Sequence, residues 1–150
     1  MKILMVCLGN ICRSPLAEGI MQNKIAQRGL EWSVDSAGTG AWHVGENPDQ
    51  RSIEVANKYG VDITNQRSRQ LSTSDLQEFD LIFAMDSSNY QNILKMASSA
   101  EEEQKVEMIM NVVKPGFNQN VPDPYYDNDG FELVFKMLDE ACEKVIERSI

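Results

Sequence analysis

A chain of 150 residues with 42% hydrophobic content is long enough to bury a real core, and a single domain spanning residues 1–150 is expected. The formal net charge of −9 excludes nonspecific binding to nucleic acid or to an anionic membrane, because both need a basic surface. Three cysteines, Cys7, Cys12 and Cys142, show no framework spacing, which argues against a disulfide scaffold and for a reducing, cytoplasmic setting.

The chain opens on KILMV, residues 2–6, a continuous apolar run of the kind a central parallel strand needs when both of its faces are covered. That run ends too soon for a secretory signal, and no later stretch approaches the roughly 18 apolar residues of a membrane span, so no membrane insertion is expected. After a short loop, Ser14 can cap and Pro15 can open a helix whose apolar positions Ala17, Ile20, Met21 and Ile25 recur at helical spacing until Gly29. WSVDSAG (32–38) suits a second strand, followed by a long glycine-bearing loop holding Trp42 and His43. A helix is expected from Pro48 to Tyr59, ending at Gly60. DLIFAM (80–85) and KVEMIM (105–110) read as two more strands, separated by a helix carrying Tyr90, Ile93, Leu94 and Ala97. EEEQK (101–105) reads as a solvated helix end or loop. The last helix is marked by Phe131, Val134, Phe135, Leu138, Ala141, Cys142 and Val145 on one face, which buries Cys142. Strands alternating with helices imply an α/β fold with a parallel sheet.

The loop "VCLGNICRSP" (6–15) carries the chemistry. A connection from a parallel strand into a helix N-terminus turns backbone N–H groups inward with the helix dipole behind them, a geometry that binds anions. Gly9 lets the backbone curl, Asn10 tolerates left-handed dihedrals, and Arg13 offers a fork that matches two phosphate oxygens. An acidic protein can hold phosphate in this way, locally. The same field favours the thiolate of Cys7, a strong nucleophile, and Ser14 is near enough to donate a hydrogen bond to it. The logic is phosphoryl transfer through a phosphocysteine. Cys7 and Cys12 do not have the spacing of a zinc knuckle and His43 is the lone histidine, so no metal and no other cofactor is expected. Expulsion of an alkoxide or phenoxide calls for a general acid, and the candidate is Asp123 in "VPDPYYDND", stiffened by Pro122 and Pro124 and followed by Tyr125 and Tyr126.

These two segments carry a resemblance: over essentially its full length the chain resembles the low-molecular-weight protein tyrosine phosphatases, with "VCLGNICRSP" and "DPYY" in the family's order and separation. The resemblance implies a three-layer fold in which a four-stranded parallel sheet is flanked by helices, of the flavodoxin-like, phosphotyrosine phosphatase I-like kind. It implies Cys7 as nucleophile, Arg13 as transition-state clamp and Asp123 as proton donor and then base. It makes Leu8, Gly9, Asn10, Ile11, Cys12 and Ser14 the substrate-binding loop, with Trp42, Tyr125 and Tyr126 around it. "DSAGTGAWHVG" resembles the segment whose serine, Ser36, supports the loop through Asn10, and "MDSSN" the segment whose aspartate, Asp86, supports the site. Many relatives add a histidine to that network, and the matching place holds Gln66, which can hydrogen-bond but cannot titrate. Cys12 is implied as a redox partner that captures oxidised Cys7 as a disulfide.

The expected activity is hydrolysis of phosphotyrosine in proteins, because Ile11, Trp42, Tyr125 and Tyr126 supply an apolar cleft deep enough for an aryl phosphate. The alternative is phosphoarginine hydrolysis, where the resemblance puts threonine in the place of Ile11. Arsenate reduction would need further cysteines between Cys12 and Cys142, and a noncatalytic phosphate-binding module would lack the nucleophile or the acid. Partners are phosphotyrosine proteins, with phosphate and other oxyanions as inhibitors and no nucleic acid, and a monomer is expected.

Overall fold

The computed structural model describes residues 1–150. Four parallel strands form one sheet: β1 (Lys2–Cys7), β2 (Ser33–Gly38), β3 (Leu81–Ala84) and β4 (Val106–Met108), in the spatial order β2-β1-β3-β4. The α/β class and the four-stranded parallel sheet flanked by helices are as expected.

β1 is central, and its composition explains why. Ile3, Leu4, Met5 and Val6 are all fully buried, so only a strand covered on both faces could hold them. Alternate residues serve opposite layers. Ile3, Met5 and Cys7 join Phe83 on the face covered by α1 (Arg13–Gln27), α2 (Gln50–Lys58) and α6 (Gly130–Ser149). Leu4 and Val6 join Ile82 and Ala84 on the face covered by α3 (Thr73–Glu78) and α4 (Ser87–Met96). Each buried Leu or Ile contributes about 1.5–3 kcal/mol, so a register slip of one residue in β1, which exchanges the two sets, is strongly disfavoured. Cys7 is thereby delivered to the C-terminal edge of the sheet, on the α1 side.

Several boundaries depart from the sequence reading. The first helix begins at Arg13 with Cys12 in the N-cap place and no side-chain cap, because the Ser14 hydroxyl is engaged elsewhere. α2 begins at Gln50 behind Asp49, whose carboxylate accepts from the Arg51 N–H. KVEMIM divides into the short β4 and a 3-10 turn at Ile109–Val112. α3, unanticipated, opens on a reciprocal cap between Ser72 and Asp75. Only six residues long, it buries Asp75 and Leu76 alone, too few to show a period. The acidic EEEQ stretch lies in a short helix, α5 (Ala100–Gln104), and one of its glutamates, Glu102, is buried rather than solvated. Glu102 accepts from the backbone and hydroxyl of Ser98 at 3.0 and 3.1 Å, which satisfies its carboxylate.

Candidate active site

The loop between β1 and α1 is shaped by what its neighbours do to its carbonyl groups. Gly40 N–H takes the Leu8 carbonyl at 2.9 Å, the Ser68 hydroxyl takes Gly9 at 3.0 Å, Asp49 N–H takes Ile11 at 2.8 Å and the Ser52 hydroxyl takes Cys12 at 3.2 Å. With the carbonyls drawn outward, the N–H groups of Gly9, Ile11, Cys12 and Arg13 are left without a protein acceptor. A ring of such donors at a helix N-terminus is an anion cradle. Asn10 takes the left-handed turn, at φ +57. β2 must come close for this to work: a Cβ on Gly38 would lie 2.8 Å from the Leu8 carbonyl, so only glycine fits there.

Asn10 also orders the hydrogen bonds around the thiol. Its Oδ1 accepts from Arg69 N–H at 3.0 Å, which fixes the amide, and its Nδ2 donates to Ser14 Oγ at 2.7 Å and to Ser36 Oγ at 2.9 Å. Ser14 Oγ, already accepting from Asn10, has its own proton free for Cys7 Sγ at 3.0 Å. Asn10 N–H lies 3.3 Å from the same sulfur. Ser36 Oγ, likewise accepting, donates to Glu18 Oε1 at 2.6 Å. Glu18 thus occupies the end of the network where Gln66 was expected. Gln66 instead donates to the Pro15 carbonyl at 3.0 Å, and its Oε1 is buried without a partner. Burial pushes the Glu18 carboxyl up to about 7, reinforced by Asp35 and opposed by the Ser36 hydrogen bond and Arg69. A signal for Glu18 was present in the sequence, since it lies four residues after Ser14 on the same face of a largely buried helix.

Arg13 is 2% exposed. One nitrogen, Nη1, is anchored by Asp86 at 2.7 Å and by the Val121 carbonyl at 2.9 Å, and Nη2 lies 3.8 Å from an Asp123 carboxylate oxygen. Burial works against its charge, but Cys7, Asp86 and Asp123 outweigh that and hold its pKa above the ordinary arginine range. Asp86 doubles as the cap of α4, accepting from Asn89 N–H at 2.8 Å. Asp123 precedes the 3-10 turn Pro124–Tyr126 and accepts from Tyr125 N–H at 3.0 Å.

These groups surround a pocket of about 380 Å³. Buried Cys7, Cys12 and Arg13 form its floor, Leu8, Gly9 and Ile11 its wall, and Trp42, His43, Tyr125 and Tyr126 its rim, with Asp123 facing inward. Trp42 is 72% exposed and Tyr126 91%, so both rings are available to a partner. His43 is half-buried and pairs with Glu46 at 2.9 Å. Asn10 and Ser14, counted with the loop by sequence, do not line the pocket; their side chains turn back to Cys7 and Ser36. Ser36 and Asp86 also lie behind it. Burial drives the Cys12 thiol far up, and the neighbouring Asp49, Cys7 and Asp123 add to it. Cys142, packed in α6 against α1, is pushed up to about 12 by burial and lies away from the pocket.

A parallel α/β sheet with an anion cradle at its C-terminal edge, a thiol at the floor and an acid across the mouth defines a phosphate-ester site. The family model of low molecular weight phosphotyrosine protein phosphatases matches residues 2–149, and the chain belongs to this family of phosphatases. It is 48% identical over 134 residues to the low molecular weight phosphotyrosine protein phosphatase of Schizosaccharomyces pombe, covering 87% of this chain and 85% of that one. A protein tyrosine phosphatase from Entamoeba histolytica superposes with a TM-score of 0.92 at 39% identity, over 99% of this chain and 96% of the other. An arginine phosphatase from Drosophila is similar in structure too, with a TM-score of 0.92 at 34% identity over 99% and 98% of the two chains. No helix is long and apolar enough to cross a membrane.

Proposed function

We propose that the protein hydrolyses phosphotyrosine in cytoplasmic proteins, acting as a single domain over residues 1–150 and as a monomer, without metal or other cofactor. The observation that carries this reading is the convergence of Cys7, Arg13 and Asp123 on one pocket whose rim is aromatic. The phosphoryl group lies in the cradle with two oxygens on the Arg13 fork. Cys7 Sγ attacks phosphorus, the ester P–O bond breaks, and Asp123 gives its proton to the departing phenol oxygen. The ionised Asp123 then takes a proton from water as that water attacks the phosphocysteine, releasing phosphate and the thiolate. Ser14, with its proton directed at Sγ, stabilises the sulfur in both steps. Free phosphate and other oxyanions compete for the same cradle and inhibit.

Selectivity follows from depth and lining. Phosphate bound on a floor of buried residues is reached by an aryl ring that spans the wall of Leu8 and Ile11 and lies between Trp42 and Tyr125. A phosphoserine side chain is too short for that span. Phosphoarginine is the second reading, favoured by the Drosophila arginine phosphatase among the similar structures and disfavoured by the bulk of Ile11. Cys12, beside Cys7 at the pocket floor, serves as a redox guard: a Cys7 sulfenic acid condenses with the Cys12 thiol to a disulfide and water, which thiols then reduce.

The test is turnover of p-nitrophenyl phosphate, a phosphotyrosine peptide, phosphoarginine and phosphoserine by wild type and by Cys7→Ser and Asp123→Ala. Aryl-selective turnover lost in Cys7→Ser supports the reading. Preference for phosphoarginine retains the chemistry and overturns the substrate, and no turnover of any ester leaves an anion-binding module.

A further inference from the structure

The turn that bears Asp123 is tethered on its two sides by different means. Upstream, Val121 is fully buried; its N–H donates to the Met85 carbonyl at 2.8 Å and its carbonyl accepts from Arg13. Downstream, Pro124 is buried against Gly130 at the start of α6, and the polar tether comes from one side chain of a different element. Arg51, the second residue of α2, donates from Nη2 to the Tyr125 carbonyl at 3.0 Å and from Nη1 to Asn128 Oδ1 at 2.6 Å. Its guanidinium lies 4.6 Å over the Phe131 ring and 5.7 Å from that of Tyr125. That fork is itself held, since Nε and Nη2 each meet an oxygen of Asp49 at 2.9 Å. Asp49 in turn donates its backbone N–H to the Ile11 carbonyl in the phosphate-binding loop at 2.8 Å.

The contacts therefore run unbroken from Ile11, in the wall of the cradle, through Asp49 and Arg51 to Tyr125 and Asn128. Two of these links need a planar group with several donors in fixed directions, which arginine supplies and lysine does not. We propose that Arg51 is a positioning residue for proton transfer, holding the Asp123 turn in register with the phosphate-binding loop so that the carboxyl stands over the leaving oxygen. The proposal rests on the reading of Asp123 as general acid. A proton donor misplaced by about 1 Å can cost on the order of a hundredfold in rate, and the cost is greatest where the leaving oxygen most needs the proton.

The experiment compares kcat/KM for phenyl phosphate, a poor leaving group, and p-nitrophenyl phosphate, a good one. It uses wild type, Arg51→Ala, Arg51→Lys, Asp123→Asn and the double variant Arg51→Ala with Asp123→Asn. In Arg51→Ala, phenyl phosphate should fall by about thirtyfold or more while p-nitrophenyl phosphate falls by about threefold or less, with Arg51→Lys between the two and inorganic phosphate inhibition unchanged. In the Asp123→Asn background, Arg51→Ala should alter either substrate by no more than about twofold, because the group it positions is gone. An equal loss on both substrates, or losses that add in the double variant, would make Arg51 a support of the rim only and overturn the proposal. Should Arg51→Ala fail to fold, Arg51→Lys carries the same comparison. If Asp123→Asn itself shows no leaving-group dependence, the acid assignment fails first; if it does and the Arg51 variants do not, only the positioning role is lost.

Discussion

The phosphate-binding loop and the Asp123 turn contribute to one pocket but are built in opposite ways. The loop is local: Cys7, Asn10, Arg13 and Ser14 fall within eight residues, between a buried strand and the helix it leads into, and its shape is set by the carbonyls its neighbours pull outward. The turn is a three-residue 3-10 segment outside the sheet, followed by α6 at Gly130. It reaches the pocket because Val121 is drawn to Met85 and Arg13, and because Arg51 grips Tyr125 and Asn128. A contiguous site survives as long as its strand and helix do, whereas an assembled one depends on each remote contact. Substitutions in the two regions should therefore fail in different ways.

The largest effect is expected in the loop. Cys7→Ser should lower turnover of every ester by roughly 10⁴-fold or more, irrespective of leaving group, while inorganic phosphate still binds, because the nucleophile is lost and the cradle is not. Equilibrium binding of phosphate to this variant separates the two. Asp123→Ala should cost about 10²–10⁴-fold, with the larger figure for phenyl phosphate, since the acid matters in proportion to the basicity of the oxygen it protonates. A loss independent of leaving group would erase the contrast between the regions. Ser14→Ala removes one hydrogen bond to a charged sulfur, worth about 1.5–3 kcal/mol, and should slow phosphocysteine breakdown by roughly 10- to 150-fold, read from single-turnover kinetics.

The smallest effect concerns Glu18. Its folded-state pKa of about 7 lies above the ordinary 4.5, so the folded protein binds this proton more tightly than the unfolded chain does. The stability it contributes is present below pH 4.5 and is lost as pH rises through 7. Glu18→Gln keeps an acceptor for Ser36 without the charge. The stability of wild type relative to this variant should fall between pH 4.5 and 7 and then level off, measured as the difference in urea midpoint across that range. A difference flat with pH would show that Glu18 is not held in the protonated form by its surroundings.

Much of this architecture was legible in the residues. The apolar run 2–6 had the pattern of a central strand covered on both faces, and the stripe of Phe131, Val134, Phe135, Leu138 and Cys142 had the period of a helix against the core, and both are buried as that pattern requires. The anion-binding character of the loop was also legible, since glycine, asparagine and arginine act through their own backbone and side-chain chemistry at short range. α3 was not, being too short to carry a period; the reach of Ser14 to the Cys7 thiol was legible, but the helix cap it also suggested does not form.

The chain thus determined by itself its strands and long helices, its anion cradle and the residue types that suit phosphoryl transfer, all of which follow from local pattern and spacing. The tertiary structure alone decided that Gln66 turns to the Pro15 carbonyl and leaves the end of the network to Glu18, that Asp49 and Arg51 join the cradle to the Asp123 turn, and that the Asn10 amide faces Ser14 and Ser36 rather than the pocket. The links from Ser36 to Glu18 and from Arg51 to Tyr125 and Asn128 span 18, 74 and 77 positions, and hydrogen-bond direction depends on which atoms packing brings within 3 Å, a fact no one-dimensional pattern records.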